Sequence, residues 1–289
     1  MTKQVARHLI ALMILLAAPA GAQVPNVVTD FGPVQSLVMD VMGDLGTPRS
    51  LLPKGGDPHD FQLRPSQADL LATADVIFWV GPQLMPALGD AVGTLAPQAE
   101  TVALLQTTPT RAFADGGTDP HAWLDPDNGK AWLGTIAETL AAKDPANKAT
   151  YRANARAAQD VLTTLDQNWQ AQLTPLRQKP FVAYHDALGY FTAHFHLTLA
   201  GAVELSDATP PSAARLTAIQ SLITDGRALC VFPEAGRDPK FIATLTDGLP
   251  VHIGAPQDIE FITTAPGPGQ YGRMLDALVQ GLVACLNTP

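Results

Sequence analysis

The segment TDPHAWLDP at residues 118–126 places one imidazole, that of His121, between two Asp-Pro steps. Proline fixes its own φ and keeps the preceding residue extended, so this stretch is predicted to form a stiff, non-helical turn. A shorter version, DPHD at residues 57–60, carries His59, and a third histidine, His185, follows the apolar run FVAY. Three histidines at the ends of three separate segments predict a metal site that forms only on folding, with neutral imidazole nitrogens as ligands.

The segments around these histidines alternate between short apolar runs and stretches with helical periodicity. Continuous runs such as VIFWV at residues 76–80 and ALCVF at residues 228–232 are typical of strands buried in a parallel sheet. Apolar residues at helical spacing, as between Val34 and Leu45, separate such runs. The alternation predicts an α/β layer fold in both halves of the chain.

A long amphipathic segment lies between the two halves. From Pro145 to Leu176 the apolar residues recur in steps of three and four, which predicts one helix of roughly 48 Å. Such a helix is long enough to join two domains, and two helices broken near Thr164 are the alternative. We therefore predict a signal peptide at 1–22, a first α/β lobe at 23–144, a linking helix at 145–177 and a second α/β lobe at 178–289.

The start of the chain matches an export signal. Lys3 and Arg7 form a basic beginning, residues 9–18 are apolar, and small residues precede a predicted cleavage after Ala22. The apolar run is too short to span a bilayer, which predicts an exported protein that does not cross the membrane. The chain has 27 acidic against 18 basic residues, and this balance argues against nucleic acid as a partner.

Three histidines without a nearby thiolate favour zinc among the divalent ions. A fourth ligand is predicted in the loop that follows the last strand of the second half. Asp258 is the preferred candidate there, with Glu260 or water as alternatives. The aspartates beside the three histidines either accept hydrogen bonds from the imidazoles or cap the turns; they are Asp57, Asp60, Asp119 and Asp186.

The remaining histidines and the two cysteines have simpler interpretations. His194 and His196 could form a second metal pair, but we favour partly buried histidines at the end of an element. His252 lies in an apolar strand and is interpreted as structural, and His8 leaves with the signal. In an exported protein the pair Cys230 and Cys285 predicts a disulfide, since the spacing has no C-x-x-C character that would indicate a redox or metal pair.

Four blocks of the sequence resemble one known family. They read GDPHDFQLRPS at 56–66, ADVIFWVGP at 74–82, DPHAWLDP at 119–126 and YHDALGYF at 184–191. In this order they are similar to the signature blocks of zinc-uptake solute-binding proteins of the cluster A-I type, the periplasmic metal receptors of ABC importers.

The resemblance implies two α/β lobes joined by one long rigid helix, with the metal in the cleft between the lobes. It implies that His59 and His121 come from the first lobe and His185 from the second, and that Cys230 and Cys285 form a disulfide. In manganese-type relatives the third ligand is usually glutamate, so His185 favours zinc.

The chain departs from the family pattern at three places. Many zinc receptors carry a His/Asp-rich loop before the second ligand, whereas residues 106–118 contain no histidine. Pro58 stands where some relatives have glutamate, and the sequence DIEF from Asp258 replaces the usual late Asp-Pro-Leu-Gly block. The fourth ligand therefore stays open between Asp258, Glu260 and water.

The resulting hypothesis is a monomeric periplasmic receptor, not an enzyme, that binds Zn²⁺ tightly and delivers it to an ABC permease. A periplasmic metallochaperone is a possible additional partner, and a small rearrangement is predicted on metal binding rather than a wide hinge closure. The alternatives are a manganese-type receptor of the same family, a three-histidine zinc hydrolase and an adhesion or assembly protein that uses the metal for structure. A hydrolase would need a general base, for which Glu204, Glu234 or Glu260 are candidates, but the H-E-x-x-H motif is absent.

Overall fold

A computed structural model describes residues 23–114, 116–205 and 210–288 of the protein, and the predicted signal peptide lies outside these ranges. The described residues form two four-stranded sheets, each with helices packed against it. Every strand pairing in both sheets is parallel. The predicted α/β class with two parallel-sheet lobes is therefore confirmed.

The first sheet has the strand order β2-β1-β3-β4. Its strands are β1 Val27–Thr29, β2 Arg49–Ser50, β3 Val76–Trp79 and β4 Glu100–Ala103. All four residues of the inner strand β3 are buried, as expected for a parallel strand covered on both faces. The edge strand β2 was not predicted, because two polar residues carry no apolar pattern.

The second sheet has the order β6-β5-β7-β8. Its strands are β5 Phe181–His185, β6 Leu199–Glu204, β7 Cys230–Val231 and β8 His252–Ile253. The inner strand β5 is fully buried and ends at His185, so this histidine lies at the carboxyl edge of the sheet.

Nine α-helices are assigned within the described residues: α1 Gly32–Met42, α2 Pro65–Ala72, α3 Pro86–Leu95, α4 Pro126–Lys143, α5 Lys148–Leu173, α6 Gly189–Phe195, α7 Ala213–Thr224, α8 Pro239–Leu245 and α9 Gln270–Leu286. Within the described ranges, no helix has both the length and the apolar character that a membrane span requires.

The linking helix α5 is continuous, without a break near Thr164, and its 26 residues correspond to about 39 Å. It is followed by a 3-10 turn at Thr174–Leu176, so the predicted end at Leu176 is close to the observed one. The helix begins later than predicted, because Asp144 accepts hydrogen bonds from the side chains of Asn147 and Tyr151 and holds the intervening residues in a turn.

The last helix, α9, connects the two lobes a second time. At its start the backbone N–H of Tyr271 donates to Ser36 Oγ of α1, over 2.9 Å. Near its end Cys285 forms the predicted disulfide with Cys230 of β7. The two lobes are thus joined by two helices, α5 and α9. The predicted domain boundaries, 23–144, 145–177 and 178–289, stay a proposal.

Candidate metal centre

The structure brings His59, His121, His185 and Glu260 together in the cleft between the sheets. One ligand atom of each residue lies within 4.8 Å of the ligand atoms of the others. The three imidazole centroids are 5.2–5.8 Å apart. All three predicted histidines therefore converge, with a glutamate as the fourth member of the group.

Two separations between donor atoms can be compared with those of a tetrahedral ion. Nε2 of His121 and Nε2 of His185 are 3.3 Å apart, and Nε2 of His59 is 2.9 Å from Oε1 of Glu260. A tetrahedral Zn²⁺ with bonds of about 2.0–2.1 Å would hold its ligand atoms about 3.3 Å from one another. The spacing of the two imidazole nitrogens therefore equals that of a tetrahedral zinc site, and all four ligand atoms lie within 4.8 Å of one another.

The two Asp-Pro-His segments form the short turns that their prolines predict. His59 lies in the 3-10 turn Pro58–Asp60, whose preceding residue Asp57 accepts a hydrogen bond from the His59 N–H over 2.9 Å. Asp119 accepts from the N–H of His121 in the same way, over 3.0 Å. Both aspartates thus cap the turns that carry the histidines, which holds each imidazole at a defined place.

Carboxylates also fix the orientation of two imidazoles. Nδ1 of His121 is 2.8 Å from Oδ1 of Asp119, and Nδ1 of His185 forms a very short contact with Oε2 of Glu234. These contacts favour a proton on Nδ1 and leave each Nε2 directed at the centre as a lone-pair donor. The sequence makes Asp119 a candidate for this role, whereas it suggests Glu234 only as a base for hydrolysis. Of the other two flanking aspartates, Asp60 is exposed and Asp186 is partly buried.

The charge states of the buried groups suit a cation. Burial lowers the pKa of His121 to about 4, against the opposing effect of its hydrogen bond to Asp119. At neutral pH this imidazole is therefore neutral and keeps the lone pair that a metal needs. Burial also raises the pKa of Glu260, and the contact with His59 acts in the opposite direction. A divalent ion would supply the positive charge that a buried carboxylate lacks.

The structure places Glu260, rather than the sequence-preferred Asp258, beside the three histidines. The carboxylate of Asp258 accepts from the hydroxyl of Thr263 over 2.7 Å and from its N–H over 3.2 Å. Asp258 therefore stabilises the turn that precedes Thr263, while Glu260, 4% exposed, reaches His59. Both residues are candidates from the sequence, and nothing in the local sequence tells which of two carboxylates two positions apart faces the cleft.

Two arginines that belong to no recognisable sequence motif lie beside the centre. Arg237 Nη2 is 3.4 Å from Asp57, and its Nε is 3.8 Å from Glu234, so one guanidinium connects carboxylates of both lobes. Arg111 Nη1 is 3.4 Å from Asp119, and its guanidinium lies 5.8 Å from the ring centroid of Tyr190 on α6. Each arginine thus contacts a carboxylate that holds a candidate ligand.

The histidines outside the centre have other surroundings. His194 contacts Asp125 and Asp166 rather than His196, which follows α6 in a left-handed conformation with φ of 57°. His252 is exposed on the edge strand β8. His194 and His196 therefore do not form a second metal pair. His252, interpreted from the sequence as a structural residue of an apolar strand, is not buried.

Comparisons with known proteins find relatives in both sequence and fold. A family model described as "Zinc-uptake complex component A periplasmic" matches residues 27–285. The high-affinity zinc uptake system protein ZnuA of Paracoccus denitrificans is 46% identical, covering 94% of each chain, and that of Brucella suis is 31% identical, covering 91% of this chain and 92% of the other. The solved structure of the periplasmic zinc-binding protein TroA from Treponema pallidum has the same fold. Its TM-score is 0.83 at 23% identity, over 91% of this chain and 99% of that one.

Proposed function

We propose that this chain, which belongs to the family of periplasmic A components of zinc-uptake complexes, binds Zn²⁺ in the periplasm and delivers it to an ABC importer. The observation that carries the proposal is the convergence of His59, His121, His185 and Glu260 on one point between the lobes. A site between two lobes shields the ion while it is carried, and a small displacement of either lobe would expose it.

The donor set favours zinc over manganese as the cargo. Three imidazole nitrogens and one carboxylate suit a borderline ion in tetrahedral coordination, whereas manganese prefers more oxygen ligands. The carboxylates that contact His121 and His185 do so at Nδ1 of each imidazole. They therefore orient the imidazoles, and the Nε2 atoms remain the proposed ligands.

The same set of four donor atoms argues against a zinc-dependent hydrolase. A catalytic zinc keeps one position open for water, whereas four protein ligands would fill a tetrahedral site. Two of the three glutamates considered as bases already contact imidazoles, Glu234 at His185 and Glu260 at His59. The third, Glu204, accepts a hydrogen bond from the Tyr184 hydroxyl over 3.2 Å. We therefore propose a carrier without catalytic activity.

The remaining parts of the proposal concern partners and processing. The importer's permease is the proposed recipient of the ion, with the receptor acting as a monomer and a periplasmic metallochaperone as a possible donor. Cleavage after Ala22 would release the mature receptor into the periplasm. These assignments rest on the family and on the N-terminal sequence.

Competitive Zn²⁺ titration of the purified mature protein tests the function and the ligand set together. We expect one tightly bound Zn²⁺ per chain, and a large loss of affinity in His59→Ala, His121→Ala, His185→Ala and Glu260→Gln. Asp258→Asn and His252→Ala are the controls and should bind as the unmodified protein does. Unchanged affinity in Glu260→Gln together with a loss in Asp258→Asn would reverse the assignment of the fourth ligand, and absence of tight Zn²⁺ binding would refute the proposed function.

A further inference from the structure

The segment that carries Glu260 passes from the second lobe to the first just before this residue. Gln257 still belongs to the second lobe: its N–H donates to Pro233 O and its carbonyl accepts from Ala235 N, both over 2.9 Å. Two residues later the carbonyl of Ile259 accepts from the indole N–H of Trp123, also over 2.9 Å. The backbone hydrogen bonds therefore pass from the second lobe to the first at position 258, while the Ile262 side chain still contacts Gly236 of the second lobe.

Beyond the crossing, the chain is fastened to helix α1 of the first lobe. Phe261 has a φ of 60° and packs its ring on Gly32, where an added Cβ would lie only 2.6 Å from Phe261 Cδ2. Ser36 Oγ donates to the carbonyl of Gly267 over 2.7 Å, and the N–H of Gly269 donates to Asp40 over 2.6 Å. A left-handed conformation is unfavourable for phenylalanine, so surrounding contacts must hold it there.

Trp123 is itself firmly held and lies two residues after His121. Its side chain is completely buried, and the ring of Phe31 packs edge-on against it at 4.9 Å. The hydroxyl of Tyr271 donates to its carbonyl over 2.7 Å. The indole therefore links the segment of His121 to the segment of Glu260 inside the first lobe.

We propose that Trp123 is a positioning residue for Glu260, so that His59, His121 and Glu260 move with the first lobe and His185 alone comes from the second. This inference rests on the proposed zinc function. The contact of 2.9 Å between His59 and Glu260 joins two of the three ligands that we assign to the first lobe. This contact would therefore persist when the lobes separate. When the lobes separate, the ion loses only His185 and stays on the first lobe, with one coordination position open to a recipient.

Zn²⁺ titration of Trp123→Phe tests the positioning role. This change keeps an aromatic ring and removes the N–H donor. Trp132→Phe is the matched control, because Trp132 of α4 is equally buried and its Nε1 has no hydrogen-bond partner. We expect Trp123→Phe to raise the Kd about tenfold, which corresponds to about 1.4 kcal/mol, and Trp132→Phe to change it less than about twofold.

Double variants test whether Trp123→Phe lowers the zinc affinity by displacing Glu260. On a Glu260→Gln background the additional effect of Trp123→Phe should disappear, whereas on a His185→Ala background the tenfold effect should persist. A general loss of rigidity would weaken binding on both backgrounds. Gly32→Ala, which displaces the Phe261 ring, should show the same dependence on the two backgrounds. It replaces Trp123→Phe as the test variant if Trp123→Phe does not fold.

Equal effects of Trp123→Phe and Trp132→Phe, or a full tenfold effect of Trp123→Phe on the Glu260→Gln background, would overturn the inference and leave zinc binding intact. Failure of the unmodified protein to bind Zn²⁺ would instead overturn the proposed function, and this inference with it.

Discussion

Two groups of imidazoles and carboxylates join the lobes of this protein, and the pKa of His121 in one is lowered whereas that of His194 in the other is raised. The first is the metal centre of His59, His121, His185 and Glu260. The second, which we name the His194 cluster, consists of His194, Asp125, Asp127, Asp166 and Lys130. At first sight both contain the residue types of a metal site.

The number of carboxylates per imidazole separates the two groups. In the metal centre His121 offers one nitrogen to Asp119 and turns the other toward His185, and burial lowers its pKa to about 4. In the His194 cluster Nδ1 lies 3.0 Å from Asp125 and Nε2 lies 2.9 Å from Asp166. Burial lowers the pKa of His194, but these hydrogen bonds outweigh it and raise the pKa to about 9.

The difference has a direct chemical consequence. A neutral imidazole such as His121 donates its lone pair to a metal, whereas a protonated one such as His194 has no lone pair and is itself the cation. Asp125 precedes α4, Asp166 belongs to α5 and His194 to α6, so the imidazolium binds three helices together. Proximity of histidine and aspartate therefore does not by itself indicate a metal site.

The largest expected effect is on zinc affinity. His121→Ala should weaken Zn²⁺ binding roughly a hundred- to a thousandfold, because one of four ligands is lost from a binding free energy on the order of 10–16 kcal/mol. His194→Ala should leave the affinity within about threefold. Competitive titration at pH 7 checks both variants. If the unmodified protein bound a second Zn²⁺ that His194→Ala lost, the His194 cluster would also be a metal site and the distinction between the two groups would be wrong.

A smaller effect is expected on stability. In metal-free protein at pH 7, His194→Ala should lower the free energy of unfolding by about 2–3 kcal/mol, because two partly buried carboxylates lose their cation. His252→Ala is the control and should change it by less than about 0.5 kcal/mol, since His252 is exposed. Urea unfolding with a chelator present measures both. Equal values for the two variants would mean that the imidazolium does not stabilise the helices.

The smallest effect is the pH dependence of that stability. The pKa of His194 is raised from 6.5 to about 9, so its contribution is complete below pH 6.5 and is lost as the pH rises through about 9. Because water reaches part of this cluster, we expect the difference between the unmodified protein and His194→Gln to shrink by about 1–2 kcal/mol from pH 6.5 to 9.5. Metal-free unfolding curves across this range measure it, and a constant difference would show that His194 is neutral.

Much of the fold and three of the four candidate ligands could be predicted because their signals are local. Buried parallel strands are continuous apolar runs, and the prolines beside His59 and His121 fix the turns that display the imidazoles. His185 could be placed at a sheet edge because an apolar strand ends there. The disulfide was predictable because Cys230 and Cys285 are the only two cysteines of a chain whose start matches an export signal.

Other features depend on contacts between residues far apart in the chain. The position of Glu260 beside His59 is one such feature, and Trp123, 136 positions before Ile259, donates a hydrogen bond to the carbonyl of that neighbouring residue. The contact of Glu234 with His185 has no sequence motif either.

The sequence by itself determined the α/β elements, the stiff histidine turns and the preference for zinc, since these follow from neighbouring residues and from the chemistry of imidazole. Only the tertiary structure decided which carboxylate lies beside the three imidazoles and which histidine has a raised pKa. Both properties depend on burial and on partners that distant segments bring within hydrogen-bond distance, and no local pattern encodes those distances.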